Sequence, residues 1–188
     1  MKLQGRKKEE AKQGKLDAHH EQELEVTAAS IDEQGYKVRE VTSVTVDAVV
    51  IKKDEHYPDQ NQILLITRAG EPHKGKWALP GGMIEYGEEP VQAVIRILKE
   101  ECNIQSKEIH PELLCVNGKD GRDPRKHMVS IVYHVAVDPK TKWDIKPGLG
   151  AATIDWYNLE DVVDAVELAF DHKDMLRQYM DKEKKEEE

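Results

Sequence analysis

The chain lacks the features that mark membrane and secreted proteins. It has only two cysteines in 188 residues, Cys102 and Cys115, and both stand in apolar stretches. This placement predicts buried, reduced thiols rather than a disulfide. No apolar run approaches the roughly 18 residues that a membrane-spanning helix needs, and the N-terminus has no apolar signal segment. We therefore expect a cytoplasmic protein with no membrane partner.

The chain is also short of positive charge. Its 28 Lys and Arg residues are outnumbered by 37 Asp and Glu residues, which gives a formal net charge of −9. Nonspecific nucleic-acid binding needs a basic surface, so we expect no nucleic-acid partner. A nucleotide ligand stays compatible with this charge, because a few local cations and a metal ion can offset its phosphates. The length suffices for one domain with a proper core.

Charge and hydrophobic patterning divide the chain into three parts. Residues 1–37 form a Lys- and Glu-rich N-terminal extension, residues 38–182 carry the folded domain, and residues 183–188 form a charged C-terminal tail. Within the domain, dense β-branched residues predict strands, and apolar residues at helical spacing predict two late helices. The predicted strands are 38–52, 63–67, 112–118, 127–137 and 151–159, and the helices are 159–166 and 168–180. This order predicts an α+β fold.

The stretch from Gly75 to Ile104 organises the rest of the domain. It contains a short apolar strand, a Pro-Gly-Gly turn and an acidic loop that opens a helix. Pro90 suits the first turn of a helix, and Asn103 suits the left-handed conformation in which helices often end. The sequence therefore predicts a helix from about Glu88–Pro90 to about Asn103.

The faces of this helix separate its apolar and charged residues. At about 100° per residue, an apolar stripe forms on one side and the charged residues fall outside it. The stripe consists of Val91, Val94, Ile95, Leu98 and Cys102. Ile97 falls between Glu100 and Glu101, roughly 120° from the stripe. The periodicity therefore places Ile97 on the carboxylate face, where its side chain is either exposed or packed against a neighbouring loop.

This stretch resembles the Nudix box, the family signature G-x5-E-x7-R-E-U-x-E-E-x-G-U, in which U is apolar. Seven of its nine defined positions match, namely Gly82, Glu88, Arg96, Leu98, Glu100, Glu101 and Ile104. Two depart: Ile97 replaces a glutamate and Asn103 replaces a glycine. The flanking sequence, over residues 41–182, is similar to the family branch that includes ADP-ribose pyrophosphatases.

The resemblance implies a fold, a metal site and a reaction. The fold would be the Nudix fold, a mixed β-sheet sandwiched between α-helices. Glu100 and Glu101 would be the catalytic carboxylates and would bind Mg²⁺, or alternatively Mn²⁺, with help from the Gly82 carbonyl. Glu88 and Arg96 would form a supporting ion pair. The ligand would be a nucleoside diphosphate derivative, with ADP-ribose first, and N-terminal strands would pair in a homodimer.

Ile97 leaves two functions open, because the family's glutamate at this position is a metal ligand or the general base. In the first, another residue replaces it, and His127, Asp123 and Glu85 are the candidates. The protein is then a pyrophosphohydrolase of weak activity. In the second, the protein is a catalytically silent, nucleotide-binding sensor or regulatory module.

The remaining candidate residues would contact the ligand or support the site. Four cations near the box are predicted to bind phosphate: Arg68, Lys76, Arg122 and Arg125. Three aromatic residues are candidates for stacking on a base: Tyr36, Tyr57 and Trp77, of which Trp77 fits the core better. His172 is predicted to anchor the last helix through a hydrogen bond.

Overall fold

The computed structural model describes residues 41–54, 57, 60–105, 109–138, 143–165 and 167–187. The chain divides into two units, Met1–Val41 and Thr42–Glu188. The predicted N-terminal extension, Tyr36 and the strands expected to pair in a homodimer lie outside the described residues. Everything that follows concerns the second unit.

A seven-stranded mixed sheet forms the centre of this unit. Its strands are β1 (Ser43–Lys52), β2 (Gln62–Arg68), β3 (Trp77–Ala78), β4 (Gly81–Met83), β5 (Glu112–Asn117), β6 (Met128–Val137) and β7 (Ala151–Asn158). Strand β1 runs parallel to β6 along its whole length and antiparallel to β2 and β4. The remaining pairs, β2–β3, β2–β7 and β5–β6, are antiparallel. The sheet is therefore mixed, as predicted.

Helices cover both faces of the sheet. They are α1 (Pro90–Cys102), α2 (Leu159–Ala165) and α3 (His172–Glu187). Successive side chains of a strand point to opposite faces, so β1 contributes to two cores. Its residues Val46 and Val50 pack with α1, whereas Val49 and Ile51 pack with α2 and α3. The predicted α+β sandwich is confirmed.

The ends of α1 lie where the sequence predicts them. Glu89 is the N-cap residue and Pro90 opens the helix. Asn103 adopts the left-handed conformation with φ 59°, and its N–H donates to the Lys99 carbonyl at 3.1 Å. The next N–H, from Ile104, donates to Leu98 O at 3.1 Å. Asparagine thus ends the helix in the way that glycine often does.

Two predicted boundaries differ from the structure. The last helix begins at His172 rather than at residue 168, because Leu168 forms a bridge with Trp77 and Phe170 has φ 53°. It then continues to Glu187, through most of the stretch predicted as a tail. Strand β1 begins at Ser43, and residues 38–40 of the predicted strand lie outside the described residues.

Both cysteines are free thiols, as predicted; Cys102 is buried, whereas Cys115 is only half-buried. In the part of the chain that the structure describes, none of the helices is long and apolar enough to cross a membrane.

Candidate functional site

Glu101 lies at the C-terminal end of α1, beneath the turn that follows β3. Its Oε2 accepts a hydrogen bond from the Gly81 N–H at 3.1 Å. Burial raises the pKa of Glu101 to about 7, and the nearby carboxylate of Asp47 adds to this rise. A Cβ on Gly81 would lie 2.0 Å from Asp47 Oδ1, so only glycine fits at this position. The turn therefore brings two carboxylates close together.

The loop before β7 fixes the end of α1 that carries Glu100 and Glu101. The last carbonyls of a helix have no partner within the helix. Here Gly148 N–H donates to the Glu101 carbonyl at 2.9 Å, and Leu149 N–H donates to the Glu100 carbonyl at 3.1 Å. Lys146 N–H donates to the Cys102 carbonyl at 3.2 Å. The backbone of both glutamates is thus held from outside the helix.

Glu88 and Arg96 form a two-pronged ion pair across the acidic loop. Arg96 Nε donates to Glu88 Oε1 at 2.7 Å, and Arg96 Nη2 donates to Glu88 Oε2 at 2.8 Å. The same Nη2 reaches Met83 O at 3.0 Å, and Nη1 reaches Glu100 Oε2 at 3.2 Å. The hydrogen bonds from Arg96 lower the pKa of Glu88 to about 2. The pair ties the loop to α1 beside Glu100.

Ile97 is buried, so of the two environments expected for it, exposure among the carboxylates is wrong and packing against a neighbouring segment is confirmed. Only 3% of its surface is accessible, and it belongs to the core between α1 and the sheet. A Cβ on Gly82 would lie 3.1 Å from Ile97 Cδ1, so the turn residues cover this flank of the helix. The buried face of the helix is therefore rotated from the predicted stripe. Ala93 and Ile97 are buried beside Val94, Leu98 and Cys102, whereas Val91 and Ile95 are only half-buried.

A small pocket of about 50 Å³ opens beside the turn, and we call it the turn pocket. Eleven residues line it: Thr45, Asp47, Arg68, Leu79, Gly81, Gly82, Arg122, Asp123, Arg125, Phe170 and His172. It therefore brings residues of β1, β2 and β4 together with three connecting segments and α3.

Asp47 and His172 are joined by a buried polar network on the floor of this pocket. Ser130 Oγ donates to Asp47 Oδ2. His172 Nδ1 accepts from Leu79 N–H at 2.9 Å, and its Nε2 lies 3.6 Å from Asp47 Oδ1. Burial lowers the pKa of His172, so the ring is neutral at pH 7 with its proton on Nε2. The predicted anchoring role of His172 is confirmed.

The four predicted phosphate ligands lie in different surroundings. Arg68 and Arg125 line the turn pocket, and their guanidinium carbons lie 4.9 Å and 5.8 Å from the centre of the Phe170 ring. Arg122 also lines it but is buried, and its Nη2 donates to Asp171 Oδ1 at 2.6 Å. Lys76 does not line it, and its Nζ contacts Glu167 Oε1 at 2.6 Å.

Of the three candidate bases, Asp123 lines the turn pocket. Burial alone would raise the pKa of Asp123. Hydrogen bonds from Arg125 outweigh this effect and hold the pKa below its usual value. His127 instead contacts Gly118 O at 3.1 Å, and Glu85 is exposed beside Arg96.

Of the two described aromatic candidates, neither lines the turn pocket. Tyr57 is exposed, and Trp77 packs against Tyr157 with ring centres 4.1 Å apart. The packing of Trp77 agrees with the sequence, which favours the core for this residue.

Sequence reasoning missed Asp47, Ser130, Phe170 and Asp171. Asp47 carried a usable signal, because a single acid within the otherwise apolar run of β1 is expensive to bury without a partner. Phe170 also stood out as the only phenylalanine in the chain. Ser130 and Asp171 gave no comparable signal, since their partners are distant in sequence.

The residues at the turn fit a divalent cation with oxygen ligands. Glu101 is a buried carboxylate near a second acid, and burial, together with the charge of Asp47, raises its pKa to about 7. Among the described residues no group of three or more His, Cys, Asp or Glu converges on one point. Mg²⁺ is usually bound through one or two carboxylates together with substrate phosphates, so Glu100 and Glu101 are enough for such a site.

Comparison with known proteins identifies the family. The NUDIX domain profile matches residues 41–179. An ADP-ribose pyrophosphatase of Methanocaldococcus jannaschii is 37% identical over 149 residues, which cover 79% of this chain and 79% of the relative. The ADPR responsive transcriptional repressor NtrR of Acinetobacter baylyi is 33% identical over 138 residues, which cover 72% of this chain. The match spans only 52% of that repressor.

Solved structures agree with this assignment. The NUDIX domain of Shewanella oneidensis NrtR, complexed with ADP ribose, matches with a TM-score of 0.68 and 28% identity, over 82% of this chain and 95% of that chain. A bifunctional NMN adenylyltransferase/ADP ribose pyrophosphatase of Francisella tularensis, complexed with AMP and a Mn ion, matches with a TM-score of 0.64 and 27% identity. This match covers 79% of our chain and 42% of that chain. The chain belongs to the Nudix family, in which it is similar to ADP-ribose pyrophosphatases.

Proposed function

We propose that the protein hydrolyses the diphosphate of a nucleoside diphosphate derivative of the ADP-ribose type, slowly, in the cytoplasm. The observation that carries this proposal is the buried Glu101 carboxylate beneath the Gly81–Gly82 turn, with its pKa near 7 and a second carboxylate close by. A divalent cation supplies the charge that this arrangement lacks.

Glu100, Glu101 and the Gly82 carbonyl are the groups proposed to hold Mg²⁺, with Mn²⁺ as the alternative ion. The bound ion would neutralise the diphosphate and polarise its phosphorus–oxygen bonds. The ion pair of Arg96 with Glu88 keeps the acidic loop against α1, and Arg96 also orients Glu100. These contacts position the metal ligands before any ligand binds.

Arg68 and Arg125 are proposed to bind the diphosphate in the turn pocket. Both guanidinium groups lie over the Phe170 ring. Arg125 is paired with Asp123 at 2.7 Å, and a phosphate oxygen would replace this carboxylate. Lys76 and Arg122, the other two cations that the sequence suggested as phosphate ligands, are instead paired with Glu167 and Asp171, so they are not part of the proposed diphosphate site.

Slow turnover is expected because Ile97 provides no group that can accept a proton. Loss of a positioned general base typically reduces a rate on the order of 10²–10⁴-fold. The two carboxylates that line the turn pocket already accept hydrogen bonds, Asp47 from Ser130 and Asp123 from Arg125. Water can still attack one phosphorus of the diphosphate and break its bond to the bridging oxygen, which would give AMP and ribose 5-phosphate from ADP-ribose.

A second function is favoured by the chemistry of residue 97. Ile97 is buried in the core and has no group that could bind a metal or accept a proton. The similarity to NtrR and NrtR makes ligand binding without useful hydrolysis the alternative role, as a sensor that acts through partners. This chain spans about half the length of NtrR, so the activity of that whole repressor is not carried over.

Phosphorus NMR of the purified protein with ADP-ribose and Mg²⁺ separates the two functions. The native protein should convert ADP-ribose to AMP and ribose 5-phosphate slowly. The Ile97→Glu variant should do so faster if the introduced carboxylate reaches the metal. Ile97→Gln, which has similar size but no negative charge, is the matched control.

Three outcomes have distinct meanings. Slow native turnover that requires Mg²⁺ supports the hydrolase. Binding of ADP-ribose without product, with turnover only in Ile97→Glu, supports the sensor. If neither protein binds or hydrolyses ADP-ribose, the proposed ligand is wrong, whereas the family assignment does not depend on it.

A further inference from the structure

His134 of β6 is a polar residue buried beneath the last helix, on the face of the sheet opposite α1. Only 9% of its surface is accessible, and its ring packs against the Tyr179 ring of α3 with centres 4.9 Å apart. Within the part of the chain that the structure describes, its Nε2 has no hydrogen-bond partner. An ionisable ring is thus enclosed in a contact that is otherwise apolar.

The enclosed ring can be neutral but is poorly placed to carry a charge. A neutral imidazole has one N–H donor, whereas the protonated ring has two donors and a positive charge. Burying a charge without a partner costs far more than burying the neutral group. Burial is accordingly the main cause that lowers the pKa of His134 below its ordinary value of about 6.5.

Charged groups around the ring come from three elements packed against β6, and their effects oppose one another. Glu112 of β5 is paired with His134 across the strands, and Glu183 lies on α3. Both carboxylates favour the protonated ring. Lys53, which follows β1, and Lys182 of α3 disfavour it. Two charges of each sign surround the ring, so its burial decides its state.

The first and second halves of α3 are attached to the sheet by different means. Met175, Leu176 and Tyr179 are buried in one apolar cluster, with Tyr179 only 1% exposed. From Asp181 onward α3 carries no apolar residue. The ion pair of Glu183 with Lys53, whose side chain is 49% exposed, adds little at such a surface. The stacking of Tyr179 on His134 is therefore the last fully buried contact of this helix.

We propose that His134 makes the attachment of the second half of α3 an acid-sensitive switch. Protonation of the ring favours release of the helix from about Tyr179 onward, because the ring then reaches water and both of its N–H groups find acceptors. The start of α3, where His172 lies on the floor of the turn pocket, stays attached through Met175 and Leu176. This switch does not depend on the hydrolysis proposed above.

The direction of the pH effect follows from the two states of the helix. Above pH 6.5 the ring is neutral whether α3 is attached or released, so the attachment is at full strength. Below pH 6.5 the released state binds a proton that the attached state does not, and release becomes up to tenfold more favourable for each pH unit. This gain ends where the pH reaches the lowered pKa of the buried ring.

Amide hydrogen exchange measured by NMR between about pH 5 and pH 7.5 tests the switch. Protection factors are compared, because they remove the intrinsic pH dependence of exchange. The main variant is His134→Phe, which keeps an aromatic ring against Tyr179 but cannot bind a proton. His134→Gln is a second non-titrating variant, in case phenylalanine alters the packing. His110→Phe, at an exposed histidine, is the matched control.

The expected result is local. In the native protein and in His110→Phe, protection of the amides from Tyr179 to Glu183 should fall up to about tenfold for each pH unit below 6.5. Amides of β6 should keep their protection over the same range. In His134→Phe and His134→Gln, protection of the second half of α3 should not depend on pH.

Other results overturn the proposal. Equal protection of α3 at pH 5 and pH 7.5 in the native protein would show that the ring does not control the helix. An unchanged pH dependence in both His134 variants would assign the effect to another group, and an equal loss throughout β6 would indicate global unfolding. Titration of the His134 ring protons needs no variant, and a midpoint at or above pH 6.5 would contradict the proposal directly.

Discussion

Ile97 packs against the backbone of Gly82, with its Cδ1 only 3.1 Å from the place where a Cβ on that glycine would lie. Ile97, which stands where the Nudix box has a glutamate, thus supports the turn at Gly82. The Gly82 carbonyl is one of the groups proposed to hold the metal. A side chain at residue 82 would require the end of the Ile97 side chain to shift by a few tenths of an ångström.

A charge at position 97 should make stability depend on the metal. Ile97→Glu places a carboxyl group at a site that is 3% exposed, which should lower the free energy of unfolding by about 2 kcal/mol or more without metal. Added Mg²⁺ should restore part of this loss, because a ligand that binds only the folded state stabilises it. Urea unfolding with and without Mg²⁺ measures both effects.

Ile97→Gln is the control for this variant, because it buries a polar group of similar size that has no negative charge. Ile97→Gln should be less stable than the native protein, and added Mg²⁺ should not restore its stability. If Mg²⁺ stabilises both variants and the native protein equally, residue 97 does not reach the metal.

Metal affinity should depend on pH because of Glu101. Its pKa of about 7 means that the carboxyl group is protonated below neutrality, and a metal must displace this proton. The affinity for Mn²⁺, measured by electron paramagnetic resonance, should therefore fall about tenfold for each pH unit below 7. Above pH 7 it should be nearly constant, since no proton then needs to leave Glu101.

The control for the pH effect is Glu101→Gln. This variant cannot release a proton at residue 101, so its weaker Mn²⁺ affinity should lose most of the dependence between pH 6 and pH 7. An unchanged slope would assign the titration to another group.

The sequence predicted the box helix closely because its signals are local. Pro90 at the start and Asn103 at the end act on the backbone next to them, so the boundaries of α1 follow from adjacent residues. The burial of Ile97 did not follow, because helical periodicity describes contact with one surface. Here the turn at Gly82 provides a second surface on another side of the helix.

The role of Arg122 shows a different limit. From the sequence it is a cation on a turn-rich, charged loop, which suggests a solvent-exposed phosphate ligand. In the structure its side chain is only 4% exposed, and it lies between Asp171 and Asp47, which come from distant parts of the chain. Such partners meet only in the folded protein, so neither the charge pattern nor the loop composition could reveal them.

Gly148 should tolerate alanine poorly. A Cβ at this position would lie 1.9 Å from the carbonyl oxygen of Glu100, so Gly148→Ala must displace the loop that caps α1. We expect destabilisation by about 1–3 kcal/mol, as for overpacked sites, together with weaker Mn²⁺ binding. Gly70→Ala is the matched control, because nothing lies within 4 Å of its added Cβ. Thermal unfolding of the two variants should differ clearly, and similar stabilities would contradict the close contact.

The cations of the box region should differ in their effect on ligand binding. Arg68 and Arg125 line the turn pocket, whereas Lys76 is paired with Glu167 away from it. Replacing either arginine with alanine should weaken binding of the α,β-methylene analogue of ADP about tenfold or more, since hydrogen bonds to charged groups contribute about 1.5–3 kcal/mol each. Lys76→Ala should change the affinity less than about twofold, because exposed ion pairs contribute little.

Salt dependence separates phosphate contact from a general loss of structure. If Arg68 binds the diphosphate, the affinity of the native protein should fall as salt rises, and Arg68→Ala should fall less steeply. Arg68 also donates from Nε to the Pro72 carbonyl at 2.7 Å, so Arg68→Lys keeps the charge but loses this orientation. An intermediate affinity with the native salt dependence is expected for Arg68→Lys. If Lys76→Ala weakens binding as much as the arginine variants do, the diphosphate does not lie in the turn pocket.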